Sequence, residues 1–306
     1  MIKMKKIIFL IFFTMTLFSC QDTRSRKTQN KEQYPPQKLF EGAQLDVAQK
    51  IFNEDNSGLE NVLKENPKVI NQLSEVKDYG YTLLMYASII ENLEAMKILL
   101  DNGADPNIVI PHLYDLPLSH AVATNNYEMA NLLFKYKANP NPAVGSSPLC
   151  DAMMLGEEST EKKMIDFLLK NGANINHESY LGKNIMEAAA RSNLATAQYF
   201  LEQGGEPKIK GSELSPMASY IEFQDKKGKE IKNERNSSYF EKISTLKIML
   251  QDKYGIKFPI IKDSLAEAKL RIQLYENLND KDKKSVNFNK NYGENRYIED
   301  KNMLMK

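Results

Sequence analysis

The residues that most often carry chemistry are scarce in this 306-residue chain, which has three histidines, two cysteines and a formal net charge of only +1. His112, His120 and His177 pair with no carboxylate or cysteine at a ligand spacing such as H-E-x-x-H or C-x-x-C, so no metal site is expected. There is no G-x-S-x-G elbow, no phosphate-cradling glycine loop and no dinucleotide fingerprint. Gly145-Ser146-Ser147-Pro148 reads as a turn feeding a helix, its serines helix-start residues rather than nucleophiles. The balanced charge speaks against nucleic acid as a partner. The expectation is therefore a protein without a cofactor and without catalysis of its own.

Hydrophobic residues make up 42% of the chain, enough for a large domain or a solenoid with flanking segments. Residues 1–19 read as an export signal: Lys3, Lys5 and Lys6 precede an apolar run from Ile7 to Phe18, which is short for a bilayer span. A transmembrane anchor is the alternative. Leu17-Phe18-Ser19-Cys20 resembles the bacterial lipobox, in which cleavage precedes the cysteine and the cysteine receives lipid. That resemblance implies a membrane anchor at Cys20 and takes the formal charge from +1 to −2. Cys150 is then the only thiol left, an intramolecular disulfide is excluded, and Cys150 is expected to act as a small buried apolar side chain. Gln21 after the cysteine is not the aspartate that holds some lipoproteins at the inner membrane, which points to an outer-membrane lipoprotein facing the periplasm.

Residues 20–41, rich in charge and amides around Pro35-Pro36, are expected to form a flexible tether with a maximum span of roughly 70 Å. Residues 42–76 carry two helical patterns, QLDVAQKIF and LENVLKENP, and read as a degenerate N-terminal cap.

The best-patterned stretch runs from Tyr79 to Asn107. Apolar residues at Leu83, Leu84, Ala87 and Ile90, then at Ala95, Met96, Leu99 and Leu100, mark two short amphipathic helices in succession. Helices of two turns are marginal alone, so the unit has to be repeated and stacked. Thr82-Leu83-Leu84-Met85-Tyr86-Ala87 followed by Asn102-Gly103-Ala104-Asp105-Pro106-Asn107 resembles the ankyrin repeat, whose signature is T-P-L-H-x-A with a period of about 33 residues. Similar hexads stand at Leu116–Ala121, Ser147–Ala152 and Lys183–Ala188, with a fifth start at Ser215-Pro216-Met217. Lys137 replaces the turn glycine of the second repeat, and residues 156–161 lengthen the third. The implied architecture is an all-α ankyrin-repeat solenoid with N- and C-terminal capping helices. Its array covers 78–262 with a charged, solvated loop at 222–238, a capping helix at 263–280 laid over the last repeat and started by Ser264, and a disordered tail at 281–306.

The resemblance implies a binding surface. In ankyrin arrays the fifth and eighth positions of the hexad register and the loop tips line a concave face that binds proteins. Carried onto this chain, those positions single out Tyr79, Tyr81, Tyr86, Ile89, His120, Asp151, Met154 and Glu187 as partner-binding residues. The alternative is that some of the tyrosines pack between loops and the two acids are merely solvated; Leu84, Ala87, Met96, Leu99 and Leu100 are core. The implied function is a lipid-anchored, monomeric binding protein of a bacterial envelope, in one version an immunity protein neutralising a toxin delivered to the periplasm. A structural adaptor tethering envelope components is the alternative.

Overall fold

The computed structural model describes residues 25–305 except 76–79, 112–114, 146, 211, 231–236, 262 and 288–290. The export signal, Cys20 and Tyr79 lie outside the described residues. Sixteen α-helices occur among those described, with only isolated bridge pairs, Ile110 with Asp115 and Val144 with Tyr180, in place of strands.

Five helix pairs make the array. They are α2 (Gly42–Phe52) with α3 (Asn56–Glu65), α4 (Leu83–Ile89) with α5 (Leu93–Asp101), and α6 (Pro117–Ala123) with α7 (Tyr127–Lys135). Then come α8 (Pro148–Ala152) with α9 (Glu158–Lys170), and α10 (Ile185–Ser192) with α11 (Leu194–Glu202). The pair α12 (Pro216–Glu230) and α13 (Ser237–Tyr254) follows them, with α12 against α10 and α13 against α11. The first helices of successive pairs pack on one another in an unbroken row from α2 to α12. One apolar core runs through the stack, and Leu84, Ala87, Met96, Leu99 and Leu100 are each no more than 4% exposed within it.

Asparagines lock neighbouring units together. Asn71, Asn107, Asn141 and Asn176 each donate from Nδ2 to the carbonyl of residue 103, 137, 172 or 204 in the next unit, at 2.8–3.1 Å. Each also accepts at Oδ1 from a backbone amide two residues further on, at 2.7–2.8 Å. A side chain that satisfies two otherwise orphaned backbone groups recurs because every helix end presents the same unmet carbonyl. Three of those four carbonyls belong to left-handed glycines, Gly103, Gly172 and Gly204, and the fourth to Lys137, which adopts the same turn at φ 64°. The lysine thus replaces glycine without changing the turn, with a side chain in a region that glycine occupies more readily.

The fourth unit differs from its expected register. Its first helix is capped by Asn184, whose Oδ1 accepts from Glu187 N at 3.0 Å, as Thr82 accepts from Met85 N at 3.1 Å in the first. The hexad is therefore Asn184–Ala189, one residue later than Lys183–Ala188, and it is Ala189 that is fully buried. The cause is a shortened turn. In the first two repeats a left-handed residue, Glu91 or Asn125, separates the helices, and Asn92 N and Asn126 N reach back five residues to Ala87 and Ala121. Here Asn193 both ends α10 and caps α11, and its amide reaches back only four, to Ala189.

Four flanking segments also differ from expectation, because polar sequences found specific partners. The segment read as a flexible tether is ordered from residue 25: α1 (Arg26–Gln33), capped by Ser25, leads through Pro36, Leu39 and Phe40, all buried, into α2. The segment read as a solvated loop continues α12 as far as Glu230, with Met217, Ala218 and Ile221 fully buried on one side. Its acids Asp225 and Glu222 are paired, Asp225 with Lys247 at 2.6 Å and Glu222 with Lys226 at 2.9 Å and the Ile260 amide at 2.7 Å.

The helix expected over the last repeat, α14 (Ser264–Glu276), is capped by Asp263 rather than Ser264. Only its start, at Glu267, approaches the last repeat; Tyr275 and Leu278 join Val109, Leu116, Val144 and Tyr180, residues of the loop tips that precede the repeats, in a second apolar cluster. Ile256, Phe258 and Ile260 pack on the array core instead. The region read as a disordered tail forms α15 (Asp280–Asn287) and α16 (Gly293–Leu304), with Val286 in that second cluster. Gly293 N donates to the Tyr180 hydroxyl at 3.0 Å, and Lys281 meets Asp105 at 2.7 Å.

Candidate protein-binding surface

The first helices of the repeats are short because Thr82, Ser147 and Asn184 stop the backbone at one end and a tight turn stops it at the other. Their fifth and eighth positions therefore line up from repeat to repeat on the side away from the second helices. In the observed register these are Tyr86, His120, Asp151 and Ala188, and Ile89, Ala123, Met154 and Arg191.

The row is not uniformly open. Tyr81, Tyr86 and Ile89, expected to face a partner, are 4%, 0% and 6% exposed. What covers Tyr86 and Ile89 is the segment expected to be a tether, whereas the Tyr81 backbone pairs with Ser74. The Tyr86 hydroxyl donates to the Tyr34 carbonyl at 3.0 Å, its ring meets Phe40 edge-on at 5.2 Å, and Asn30 Nδ2 donates to the Ile89 carbonyl at 2.7 Å. Burial drives the Tyr86 phenol far above its ordinary range. These three residues are structural here and are not surface contacts.

His120 and Asp151 are half-buried, and each carries a buried polar atom without a partner, Nε2 and Oδ2. Burial, with Arg26 nearby, lowers the His120 pKa to about 4, so the ring is neutral. Burial, augmented by Asp115, raises Asp151 to about 7 against the hydrogen bond from Ser119. Cys150 beside it is buried, its thiol pushed up to about 12 by desolvation, which makes it inert rather than nucleophilic.

Beyond Asp151 the surface opens. Met154 is 72% exposed and Phe223 60%. Glu187 accepts from Arg191 Nε at 2.9 Å and from its terminal nitrogen at 2.7 Å, and the Arg191 guanidinium stands 4.6 Å from the Tyr220 ring. Glu187, Arg191, Tyr220 and Phe223 line a cleft of about 540 Å³ with Ile209, Leu214, Pro216, Ser219 and, from α14, Glu267. An exposed aromatic, an exposed thioether and a guanidinium beside a tyrosine ring supply apolar area with a charged rim, the composition that dominates protein interfaces.

Arg191, Tyr220, Phe223 and Glu267 were absent from the expected set. Arg191 occupies the eighth position once the short turn of the fourth unit is recognised, a signal present in the Asn184-to-Asn193 spacing. Glu267 reaches the cleft only because α14 folds back over the array, which no local pattern records. Among the described residues no cluster of histidine, cysteine and carboxylate side chains has the makings of a metal site, and no helix is long and apolar enough to cross a membrane.

Comparison with known families finds a model of ankyrin repeats (3 copies) matching residues 45–144 and 118–211, together more than half of the chain. Similar proteins include an ankyrin repeat protein of Acanthamoeba polyphaga mimivirus, 35% identical over 91 residues, which are 30% of this chain and 11% of that one. Alpha-latrocrustotoxin-Lt1a of Latrodectus tredecimguttatus is 26% identical over 171 residues, 55% of this chain and 12% of the toxin. An ankyrin repeat protein of fowlpox virus is 28% identical over 132 residues, 42% of this chain and 29% of the relative. The chain thus spans less than a third of the length of each of these relatives.

Proposed function

This chain belongs to the ankyrin repeat family, a family of protein-interaction modules, and from that premise we propose that it is a lipid-anchored binding protein of a bacterial envelope. Its partner docks on the open part of the repeat face, at Met154, Arg191, Tyr220 and Phe223. The single observation that supports this reading is the contrast along one row of positions. Ile89 is 6% exposed where the row is covered and Met154 72% exposed where it is not, with the aromatic cleft immediately beyond. The anchor is Cys20, supported by the lipobox-like Leu17-Phe18-Ser19-Cys20 that follows a basic start and an apolar run.

The specific role proposed is immunity, in which the chain neutralises a toxin delivered into the periplasm. It is supported by the combination of export signal, anchor motif and binding array in a chain without a catalytic motif. Affinity capture of the anchored protein from its own envelope is expected to yield a stoichiometric protein partner. Arg191→Glu with Phe223→Ala is expected to lower that capture at least tenfold while leaving the unfolding temperature within a few degrees. Undiminished capture by the double variant would overturn the assignment of the surface. A deletion strain is expected to be inhibited by contact with its own kin; envelope defects without any competitor would assign the chain to a structural adaptor instead.

A further inference from the structure

Helix α1 is ordered without burying a single residue. It is held by polar contacts to the turns that join the first and second helices of the leading units. Lys27 and Lys31, one helical turn apart, both reach Glu54, at 2.9 and 2.7 Å. Arg26 pairs with Glu91 and donates to the Thr124 carbonyl at 3.1 Å, and Asn30 donates to the Ile89 carbonyl at 2.7 Å.

Glu54 and Glu91 occupy the same place in consecutive units, the left-handed residue of the turn, at φ 58° and 55°. The helix therefore lies across a row of equivalent docking points, two of which carry acids. The two ion pairs at Glu54, whose side chain is 48% exposed, each contribute little and weaken with salt, whereas the array beneath rests on a continuous apolar core. A polar strap of this kind detaches far more readily than the repeats unfold. One atom under it is unmet, since His120 Nε2 is buried without a partner close to Arg26.

We propose that the surface formed by Glu54, Ile89 and Glu91 is a second protein-recognition surface, closed in cis by residues 25–34. The partner that fits it is a helical protein segment with the strap's own chemistry. It presents two cations one turn apart to Glu54, a third to Glu91, and an amide donor to the Ile89 carbonyl. The strap is then a competitor that sets how tightly such a segment binds. This surface is separate from the open cleft, and neither depends on the other.

The test uses the full chain and a fluorescent synthetic peptide of residues 25–41 as the probe. Lys27→Glu with Lys31→Glu places two acids against Glu54 and is expected to raise amide exchange at residues 28–34 at least tenfold. The same variant is expected to bind the peptide at least tenfold more tightly than the unmodified chain does. Adding Glu54→Lys restores opposite charges, so protection of residues 28–34 is expected to return. A peptide with glutamate at positions 26, 27 and 31 is expected to bind the double variant at least tenfold more weakly than the natural one. Arg26→Ala with Asn30→Ala loosens the strap by a second route and gives the same peptide binding if the lysine variant fails to fold. Equal binding of the peptide to closed and loosened chains, or equal binding of the charge-reversed peptide, would overturn the proposal.

Discussion

Tyr86→Ala is expected to destabilise the protein by about 3–5 kcal/mol, the cost of emptying a fully buried aromatic site. The residue is 0% exposed, its ring is packed edge-on against Phe40 at 5.2 Å, and its hydroxyl donates to the Tyr34 carbonyl at 3.0 Å. Three consequences of removal add: apolar area returns to water, a cavity opens between strap and array, and a carbonyl loses its donor. Tyr86→Phe separates them, because it removes only the hydroxyl bond and is expected to cost about 1 kcal/mol. Chemical denaturation of the two variants checks both values. Met154→Ala, at a position 72% exposed on the same row, is expected to stay within about 0.5 kcal/mol of the natural chain. A Tyr86→Ala variant as stable as the Met154 one would mean that the strap does not cover the first repeat.

The second large effect lies at the other end of the chain. Asp300 is 1% exposed, and Arg271 grips its carboxylate with two parallel bonds of 2.8 Å while Arg296 stands 3.3 Å away. Arg271→Met removes the main counter-charge and leaves a buried carboxylate beside one remaining cation. Breaking a buried pair from one side costs about 3–5 kcal/mol, and Arg296 moves the expectation to the lower end of that range. The loss should be local: amide protection in α16 collapses while that of α4 to α11 is retained. Arg271→Met combined with Asp300→Leu is expected to recover most of the stability, since replacing both charges removes the desolvation cost with the attraction. Failure of the double variant to recover would mean that the pair matters for its shape and not for its charge.

These two sites show where the sequence was legible and where it was not. The repeats could be read because most obey local rules: apolar residues three and four apart, a capping Thr, Ser or Asn at Thr82, Ser147 and Asn184, and a left-handed residue at the close of the second helix. The regularity that reads well locally misled once, in the fourth unit. The hexad at Lys183–Ala188 presupposes a full-length turn, and the missing left-handed residue before Asn193 shifts it by one. Strap and tail were illegible for a different reason. Arg26, Lys27, Asn30 and Arg271 form no apolar pattern, and what orders them is a set of partners far away in sequence: Glu91, Glu54, Ile89 and Asp300. Composition reports how little such segments bury, and it is silent on whether a folded surface offers them matching charges. The expected binding positions suffered from this blindness: Tyr86 and Ile89 hold the right places in the repeat, and the strap they could not reveal covers them.

The repeat face is closed over its first repeat, where Ile89 is 6% exposed, and open at the third, where Met154 is 72% exposed. Thiol labelling measures this directly. In a chain carrying Cys20→Ser and Cys150→Ser, a single cysteine is introduced either by Ile89→Cys or by Met154→Cys, and its rate of reaction with a maleimide is recorded under native conditions. The Met154→Cys chain is predicted to react at nearly the rate of a free thiol and the Ile89→Cys chain at least a hundredfold more slowly. Equal rates at the two positions would contradict it.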